Sequence, residues 1–408
     1  MKPRLLMVAY ACDPRGGGEH WLGWGWAEQA AKSFQVELVT TPKAKEAITT
    51  AAKPLGIKPH FIDIPPSLRK VTELCGASWV RKIAWQRQVG KFAAERHRDR
   101  PFAAVHQTTF HTFRSPFAAA SLPVPSIWGP IAGGEHVPPG FEKFLGAAQL
   151  SERARSMANR AWLRMPSIQQ SLRNASALFV SNQTTLGFLP EDVQQKAQVV
   201  APNTLRPEDQ RWQPRQFTRQ HGTPLSLLYV GNCVATRAMP IVFDALKVSG
   251  LNNYELKIVG AGPALSHWKK LARQQGFGSK VVFAGRVPFE LVSAFYETAD
   301  ALVFPALRDS GGSAVLEAMA RFVPVVCLDW AGPGEMLDTG CGLKIPVRSP
   351  SETVDAFAQA LRRLDAQPEL GPKLAVAARL HAQKHFGWDA KRALLEQTFK
   401  RLRTSKNR

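Results

Sequence analysis

Cysteine, acidic residues and long apolar runs are all scarce in this chain of 408 residues. Its five cysteines are far apart and form no CxxC pair, so neither a zinc site nor dithiol redox chemistry is indicated. This pattern favours a reduced, cytoplasmic protein. No run of about 18 apolar residues occurs, so no membrane-spanning helix is predicted. Internal repeats and low-complexity tracts are absent as well.

The N-terminal stretch "MKPRLLMVAYAC" has basic residues followed by a short apolar run that ends near Cys12. This order resembles a lipoprotein signal. The apolar run is only about half a dozen residues long, whereas a signal core usually has roughly 7 to 15. We therefore interpret it as a first β-strand.

The shortage of acidic residues leaves a strong positive charge. The chain has 53 Lys and Arg against 32 Asp and Glu, which gives a formal net charge of +21. Such a charge indicates an anionic partner without naming it. Nucleic acid, an acidic lipid surface and phosphorylated metabolites all qualify.

Much of this charge lies in residues 80–100, where basic and apolar residues alternate along a predicted helix. One interpretation is a helix that lies on an anionic membrane surface. The other is a solvated helix that packs through its few apolar residues. The basic residues are Arg81, Lys82, Arg87, Lys91 and Arg96, and the apolar ones are Ile83, Trp85 and Phe92.

Strand-like apolar runs alternate with helical patterns along the whole chain, which predicts an α/β protein with parallel sheets. The alternation stops within residues 206–223, which are rich in charge and proline and indicate a linker. We therefore predict two Rossmann-like domains, residues 1–205 and 224–387. In α/β folds ligands bind at the carboxyl ends of the strands, here in a cleft between the two sets of strands.

The stretch "LVFPALRDSGGSAVLEAMARFVPVVCLDWAGPGE" places two acids around a double glycine, with a buried-looking strand on either side. Gly311 and Gly312 do not suit a helix interior, so the helix should begin near Ser313. Its first N–H groups would then be free to bind a phosphate or sugar hydroxyls. Asp309 lies in the loop, and Glu317 lies one turn into the helix.

This stretch resembles the nucleotide-sugar motif of retaining glycosyltransferase family 4, in which two acids with seven residues between them are followed by an "EAMA.G.PVV" run. Further segments resemble the same family in the right order: "VVAPNT", "LLYVGNCVATRAMP", "YELKIVGAGP", "GEMLDTGCGLKIPV" and "FGWDAKRALLEQTFKRL". The resemblance implies a GT-B fold. It also implies that a last helix, about residues 388–405, packs back on the first domain.

The resemblance also implies roles for several residues. Glu317 would bind the ribose hydroxyls of a nucleoside diphosphate sugar, and Asp309 would contact hydroxyls of the donor sugar. Arg237 would bind the diphosphate and stabilise the leaving group. Asn232 stands where the family has arginine, so one positive charge is missing there. The further donor-binding candidates are Gly311, Gly312 and Ser313, with Gly17 and Gly18 of the N-terminal loop "CDPRGGGEHW".

The histidine that the family often carries on the acceptor side has no direct counterpart, because "GPIAGGE" occupies that position. His106, at the carboxyl end of a predicted strand, is our candidate catalytic residue on this side, together with Arg237 and Asp309 of the second domain. His111, His136 and Glu135 remain alternatives. We expect Glu19 to cap the first helix. The stripe Trp21, Trp24 and Trp26 is either core or a stacking platform for an acceptor sugar, and helical spacing favours the core.

Taken with the resemblance, these features predict a glycosyltransferase that moves a sugar from a nucleoside diphosphate sugar to a glycan or lipid-linked acceptor, with retention of configuration. Envelope or exopolysaccharide synthesis at the inner face of a membrane is the expected setting. No cofactor or metal is expected, since no DxD-type pair or histidine cluster is visible. The alternatives are a GT-B protein that binds a nucleotide sugar without transferring it, and a basic nucleic-acid-binding protein.

Overall fold

The protein is described by a computed structural model covering residues 2–74, 78–214, 219–220 and 222–406. Cys75 and part of the predicted linker, residues 215–218 and 221, lie outside the described residues. The chain forms two compact units. The first comprises Met1–Gly134, Ser156–Pro202 and Trp388–Arg408, and the second comprises Glu135–Arg155 and Asn203–Gly387.

Seven parallel strands form the sheet of the first unit, in the order β3-β2-β1-β4-β5-β6-β7. The strands are β1 Arg4–Ala9, β2 Gln35–Thr40, β3 Lys58–Phe61, β4 Ala104–Thr109, β5 Ser126–Ile131, β6 Ala177–Val180 and β7 Ala197–Val199. The helices are α1 Glu19–Ala31, α2 Lys45–Ala52, α3 Pro66–Leu74, α4 Ser78–Asp99, α5 Gln149–Leu163 (divided between the units), α6 Pro166–Asn174, α7 Gln183–Phe188, α8 Glu191–Gln194 and α16 Trp388–Lys406.

Six parallel strands form the sheet of the second unit, in the order β10-β9-β8-β11-β12-β13. The strands are β8 Leu225–Val230, β9 Tyr254–Val259, β10 Val281–Gly285, β11 Ala301–Phe304, β12 Val325–Leu328 and β13 Leu343–Ile345. The helices are α9 Met239–Ser249, α10 Leu265–Gln274, α11 Phe289–Thr298, α12 Ser313–Ala320, α13 Ala331–Met336, α14 Pro350–Ala366 and α15 Leu370–His385. Two Rossmann-like sheets were predicted, and both are present.

Burial of the central strands on both faces explains their continuous apolar sequences. In β1, Leu6 and Val8 pack into one hydrophobic cluster, while Leu5 and Met7 pack into a second cluster on the opposite face. Successive strand residues point to opposite faces, so a sheet covered on both sides needs apolar residues at every position. The sequence pattern missed β3 because this strand is short, partly exposed and contains Pro59.

The structure divides the chain differently from the predicted domains in two places. Residues 135–155 belong to the second unit, and that unit begins at Asn203. The Thr204 hydroxyl donates to the Phe386 carbonyl over 2.8 Å, which fastens the start of this unit to its own last helix. Asp209 and Arg219 of the predicted linker form ion pairs with Arg321 and Asp365, at 3.1 and 2.9 Å. These residues are therefore packed, and composition alone did not reveal it.

The C-terminal helix α16 belongs to the first unit and packs on α1. Leu395 and Phe399 of α16 are buried in the same cluster as Trp26. The Lys391 ammonium is also buried, and donates to the Ala201 carbonyl. Burial lowers the pKa of Lys391 to about 7.

The contact between α1 and α16 depends on a glycine, which gives a test of their packing. A Cβ atom at Gly25 would lie 2.0 Å from Cζ2 of the Trp388 indole. We expect Gly25→Ala to destabilise the protein by about 1 to 3 kcal/mol, because a rigid ring cannot yield without repacking. The measurement is the midpoint of urea unfolding.

Gly187→Ala in α7 is the matched control, since a Cβ atom at Gly187 would meet no other atom within 4 Å. It should leave stability unchanged or raise it by up to about 1 kcal/mol through helix propensity. Equal unfolding midpoints for Gly25→Ala and the wild type would contradict the packing described for Trp388.

Candidate functional site

The stretch that surrounds the double glycine folds as strand, loop, helix and strand, as predicted. β11 ends at Phe304, α12 begins at Ser313, and Gly312 is the residue that caps α12. Gly312 has φ of 55°, and a Cβ there would lie 3.1 Å from Cγ of Pro333. A residue with a side chain would therefore be strained at this position. The double glycine lets the loop turn sharply into the helix and leaves Ser313 exposed at its start.

The loop before α12 lies at the point where the strand order of the second unit reverses. β8 is hydrogen-bonded to β11 on one side and to β9 on the other, so the connections leave β8 and β11 in opposite directions. Such a reversal opens a crevice at the carboxyl ends of the two strands, where ligands of open α/β sheets bind. The candidate residues Asn232 and Arg237 follow β8, and Asp309 follows β11.

An ion pair joins the two loops at this crevice. Nη1 of Arg237 lies 2.7 Å from Oδ2 of Asp309 and also donates to the Arg308 carbonyl over 3.0 Å. The backbone adds a hydrogen bond of 2.9 Å from the Leu307 N–H to the Thr236 carbonyl. The ion pair and the hydrogen bonds therefore join two loops whose charged residues are 72 positions apart in the sequence.

Both oxygens of the Asp309 carboxylate have protein partners. Oδ2 faces Arg237, and Oδ1 accepts a hydrogen bond of 3.1 Å from the Gly311 N–H. A carboxylate oxygen can accept more than one hydrogen bond, so both oxygens retain capacity for hydroxyl donors. Asp309 has a shorter side chain than the glutamate that is usual in the family motif. This shorter side chain still contacts both Arg237 and the Gly311 N–H.

Glu317 lies on α12 with a tyrosine behind it. The Tyr296 hydroxyl, on α11, donates to Oε2 of Glu317 over 3.1 Å. Burial raises the pKa of the Glu317 carboxyl, and the Arg321 charge and the Tyr296 hydrogen bond offset this only partly. Sequence reasoning found Glu317 and missed Tyr296, since no local pattern links the two helices.

A buried ion pair extends this arrangement away from Glu317. Nη1 of Arg321 lies 3.1 Å from Oδ1 of Asp209, and both side chains are buried. The Arg321 guanidinium carbon also lies 5.3 Å from each of the ring centres of Trp212 and Tyr296. No local sequence pattern links Arg321 to Asp209, so sequence reasoning missed this ion pair.

Asn203 is a further site residue that sequence reasoning did not single out. Its side-chain Nδ2 donates to the Gly311 carbonyl over 2.6 Å, and its Oδ1 accepts from the Ser313 hydroxyl over 3.2 Å. Both partners belong to the turn that starts α12. The signal was present in the segment "VVAPNT", whose asparagine matches the family pattern.

Asn232 is exposed, and its carbonyl accepts a hydrogen bond of 2.9 Å from the Tyr229 hydroxyl. The turn containing Asn232 packs against the "VGAGP" segment. A Cβ at Gly260 would lie 1.8 Å from the Gly231 carbonyl oxygen, so only glycine fits there. The loop therefore has a defined shape but provides one cation, Arg237, at the crevice.

In the first unit the glycine loop precedes α1, which begins at Glu19 as expected. Gly17 and Gly18 are exposed. Glu19 was expected to cap α1, and it does lie in the first turn, where an acid suits the helix dipole, but it makes no cap hydrogen bond. No side chain caps α1, and Oε1 of Glu19 accepts a hydrogen bond of 2.7 Å from the backbone N–H of His111. The carboxylate holds the loop after β4 instead.

The structure does not support His106 as a catalytic residue. Its side chain is fully buried, packs edge-on against Trp26 and Phe179, and hydrogen-bonds the Gly129 carbonyl through Nε2 over 2.9 Å. Burial lowers the pKa of His106 to about 4. A ring within the core cannot touch an acceptor. β4 continues to Thr109, so His106 lies within the strand and not at its carboxyl end, and its side chain points into the core.

The other acceptor-side candidates have different surroundings. His111 is partly exposed, and burial lowers the pKa of its ring. His136 is exposed, and its carbonyl accepts a hydrogen bond from the Trp330 indole. Glu135 is buried, with its carbonyl bonded by Arg155. Trp24 and Trp26 are buried core residues, which agrees with the interpretation of the tryptophan stripe as core.

Within the described part of the chain, no three His, Cys, Asp or Glu side chains are grouped so that they could hold a metal. In the same residues, no helix has the length and apolar character needed to span a membrane. The four described cysteines are free and buried: Cys12, Cys233, Cys327 and Cys341.

A known protein family matches the part of the chain that contains the candidate donor-site residues. Residues 210–379 match the family Glycosyl transferases group 1. The matched range contains Arg237, Asp309 and Glu317 and lies wholly in the second unit. It supports the glycosyltransferase assignment that the motifs predicted.

Curated relatives resemble the chain over a limited length. The D-inositol 3-phosphate glycosyltransferase of Streptomyces griseus subsp. griseus is 34% identical over 122 residues, which is 30% of this chain and 25% of that protein. A GDP-mannose-dependent alpha-(1-6)-phosphatidylinositol monomannoside mannosyltransferase of Mycolicibacterium smegmatis is 32% identical over 150 residues, 35% of this chain and 38% of that one. The chain spans about a quarter of the length of the relatives it first matches.

Solved structures resemble nearly the whole chain. Sucrose-phosphate synthase from Thermosynechococcus elongatus has a TM-score of 0.63 and 16% identity, with 99% of this chain and 100% of that one covered. HepE of Anabaena, solved in complex with UDP, has a TM-score of 0.63 and 15% identity over 98% and 100% of the two chains. These likenesses confirm the predicted GT-B fold of two Rossmann-like units.

The hydrogen bond from Tyr296 to Glu317 gives a test of the site. A hydrogen bond to an ionised carboxylate favours the charged form, so removing it should raise the pKa of Glu317 further. We expect the Glu317 carboxyl to titrate at higher pH in Tyr296→Phe than in the wild type. The measurement is a carboxyl-carbon NMR titration with labelled glutamate, in which Glu317→Gln identifies the signal.

Tyr254→Phe, which removes a hydroxyl from β9 of the same unit, is the matched control and should leave this titration unchanged. If Tyr296→Phe and the wild type titrate identically, the hydrogen bond does not stabilise the Glu317 carboxylate.

Proposed function

We propose that the protein transfers a sugar from a nucleoside diphosphate sugar to an acceptor hydroxyl, with retention of configuration. The observation that carries this proposal is the position of Asp309, Arg237 and Glu317 around the strand-order reversal of the second unit. The family match over the same residues supports the activity. The two carboxylates can accept hydrogen bonds from the hydroxyls of the ribose and of the donor sugar. The guanidinium can bind the diphosphate that lies between these two sugars.

Each group has a physical task in this reaction. Glu317 accepts hydrogen bonds from the ribose hydroxyls, while Tyr296 fixes its other side. Asp309 accepts from hydroxyls of the donor sugar. Negative charge grows on the diphosphate as the glycosidic bond breaks, and Arg237 with the N–H groups at the start of α12 stabilises it. These groups supply the stabilisation directly, so we propose that no metal is needed.

The acceptor is proposed to be a glycan or a lipid-linked saccharide of the cell envelope. Among the similar solved structures are a lipopolysaccharide outer core galactosyltransferase, WaaB, and WaaG, a glycosyltransferase involved in lipopolysaccharide biosynthesis. A phosphatidylinositol mannoside is named for one of the curated relatives. These names support an anionic, envelope-associated acceptor, which would also suit the net charge of +21.

Donor binding and the role of Glu317 are tested together with a panel of UDP-, GDP- and ADP-sugars. A donor present at 100 times its dissociation constant adds about 2.7 kcal/mol of stability, which a thermal shift detects. Glu317→Gln should weaken binding of the preferred donor by about 1.5 to 3 kcal/mol, because charge-assisted hydrogen bonds are lost. Transfer or hydrolysis of the labelled donor then shows catalysis.

The matched control is Glu297→Gln, the same change at an exposed position of α11. It should leave donor affinity unchanged. Binding without transfer to any acceptor or to water would favour the alternative of a nucleotide-sugar-binding protein. No stabilisation by any donor of the panel would remove the proposed activity.

We further propose that the enzyme works on an anionic membrane surface, through fewer basic residues than the sequence indicated. Trp85 is buried and its indole donates to the Ile62 carbonyl, so this aromatic residue of α4 is core. Lys82 lies 4.5 Å from the Phe110 ring centre, and Arg96 pairs with Glu37 at 3.3 Å. The exposed basic residues of α4 are Arg87, Lys91 and Arg98, which recur at the spacing of one helix face.

Liposome sedimentation tests this surface. Each basic residue near an anionic leaflet adds about 1 kcal/mol of attraction. We expect binding to anionic and not to neutral vesicles, weakened by salt, and reduced by the triple change Arg87→Gln, Lys91→Gln and Arg98→Gln. Changing Lys43, Lys53 and Lys58 to Gln removes the same charge elsewhere in the first unit and is the control. A wild-type protein that stays in the supernatant at low salt contradicts the membrane proposal.

A further inference from the structure

Residues 135–155 lie on the same edge of the second unit as the candidate site, although they come from the first half of the chain. The turn Glu142–Ala148 packs against the turn Ala235–Arg237, which follows β8. The Trp330 indole, after β12, donates to the His136 carbonyl over 3.1 Å. Glu152 contacts Arg308, after β11. This segment thus contacts the loops that follow three neighbouring strands.

Glu152 holds two arginines through the same oxygen. Nε of Arg155 and Nε of Arg308 each lie 2.9 Å from Oε1 of Glu152, and the Glu152 side chain is 9% exposed. Arg155 is further tied to the Glu135 carbonyl through Nη2. The Arg308 guanidinium therefore lies against a largely buried carboxylate, in an ion pair in which its Nε has no hydrogen-bond partner.

The terminal nitrogens of Arg308 are left available by this arrangement. Among the described residues, neither Nη1 nor Nη2 of Arg308 has a hydrogen-bond or ion-pair partner, and the side chain is 29% exposed. The two Nη groups of a guanidinium form the planar fork that binds a phosphate through two parallel hydrogen bonds. One side of the Arg308 guanidinium thus faces Glu152 in an ion pair, and its terminal nitrogens are open.

Arg308 is also placed beside the groups assigned to the donor. It immediately precedes Asp309, and its carbonyl is bonded by Arg237 over 3.0 Å. Burial, and then the positive charge of Arg155, lower the pKa of Arg308, so an added anion would stabilise its charged form. The charge of Arg237 is already opposed by Asp309, while Asn232 contributes none. A second cation at this edge would add to the stabilisation that Arg237 and the N–H groups at the start of α12 give a bound diphosphate.

We propose that Arg308 binds the diphosphate of the donor, and that Glu152 is a positioning residue that holds its guanidinium for this contact. The inference rests on the proposed function, and assigns residues 135–155 to the donor site. Arg308 then acts together with Arg237, from the loop on the other side of the strand-order reversal.

The experiment measures the affinity of the wild type and of Arg308→Ala by calorimetry for UDP, GDP and ADP and for the matching nucleoside monophosphates. With the preferred base, we expect Arg308→Ala to weaken diphosphate binding about 10- to 100-fold, the loss typical of charge-assisted hydrogen bonds. Monophosphate binding should change much less, because the ribose contact at Glu317 is retained. Arg308→Lys keeps the charge without the fork and should fall between the two proteins.

Arg155→Ala is the matched control, since Arg155 pairs with the same Glu152 oxygen but is tied to the Glu135 carbonyl. It should retain most of the diphosphate affinity. Glu152→Gln should weaken diphosphate binding less than Arg308→Ala does, and should not weaken it further when Arg308 is already Ala. Circular dichroism and the unfolding midpoint show whether each variant is folded, and Arg308→Lys replaces Arg308→Ala if the latter is not.

The outcomes separate this inference from the proposed function. A wild type that binds none of the three diphosphates overturns the proposed function and this inference with it. Diphosphate binding by the wild type, with an unchanged preference over monophosphate in the folded Arg308 variant, overturns the role of Arg308 alone. An equal loss in Arg155→Ala also overturns it, because the effect would then come from the ion pairs around Glu152.

Discussion

The ion pair between Arg237 and Asp309 is the interaction on which the candidate site depends. It lies at 2.7 Å between two loops that leave adjacent strands in opposite directions. Each loop is a short segment that follows a buried strand. The pair and the hydrogen bond between Leu307 and Thr236 join the two loops at the carboxyl ends of β8 and β11. The pair also means that the two charges are never independent, because any anion that approaches Arg237 meets Asp309 as well.

The parallel sheets explain why the chemistry is found in loops. Strands covered on both faces leave no exposed position for a polar side chain, so functional groups collect where the strands end. The second unit places Asn232, Arg237, Arg308 and Asp309 at these ends and puts Glu317 on the helix that follows. Gly312 allows this helix to start immediately after the loop, and Asn203 bonds both sides of the turn.

Residues that are distant from the motif in the sequence contact its side chains. Tyr296 bonds the Glu317 carboxylate. Arg321 pairs with Asp209 and lies near the rings of Tyr296 and Trp212. On the other side, Glu152 pairs with Arg308. The supporting residues come from two segments that the sequence had placed outside the second domain. These are residues 135–155, predicted in the first domain, and the start of the predicted linker. Buried charges of this kind are stable only when paired, and each pair constrains a loop.

The sequence by itself determined what depends on short-range pattern. Apolar runs predicted most strands, and the double glycine predicted a helix start at Ser313. The resemblance of the stretch around Asp309 and Glu317 to a family motif implied a nucleotide-sugar site in a GT-B fold. Only the tertiary structure decided which distant groups meet. It paired Arg237 with Asp309, placed Tyr296 behind Glu317, moved residues 135–155 to the second unit and turned His106 into the core. The reason is physical: periodicity reports local conformation, whereas a contact across tens of residues depends on how the strands order and which face each side chain takes.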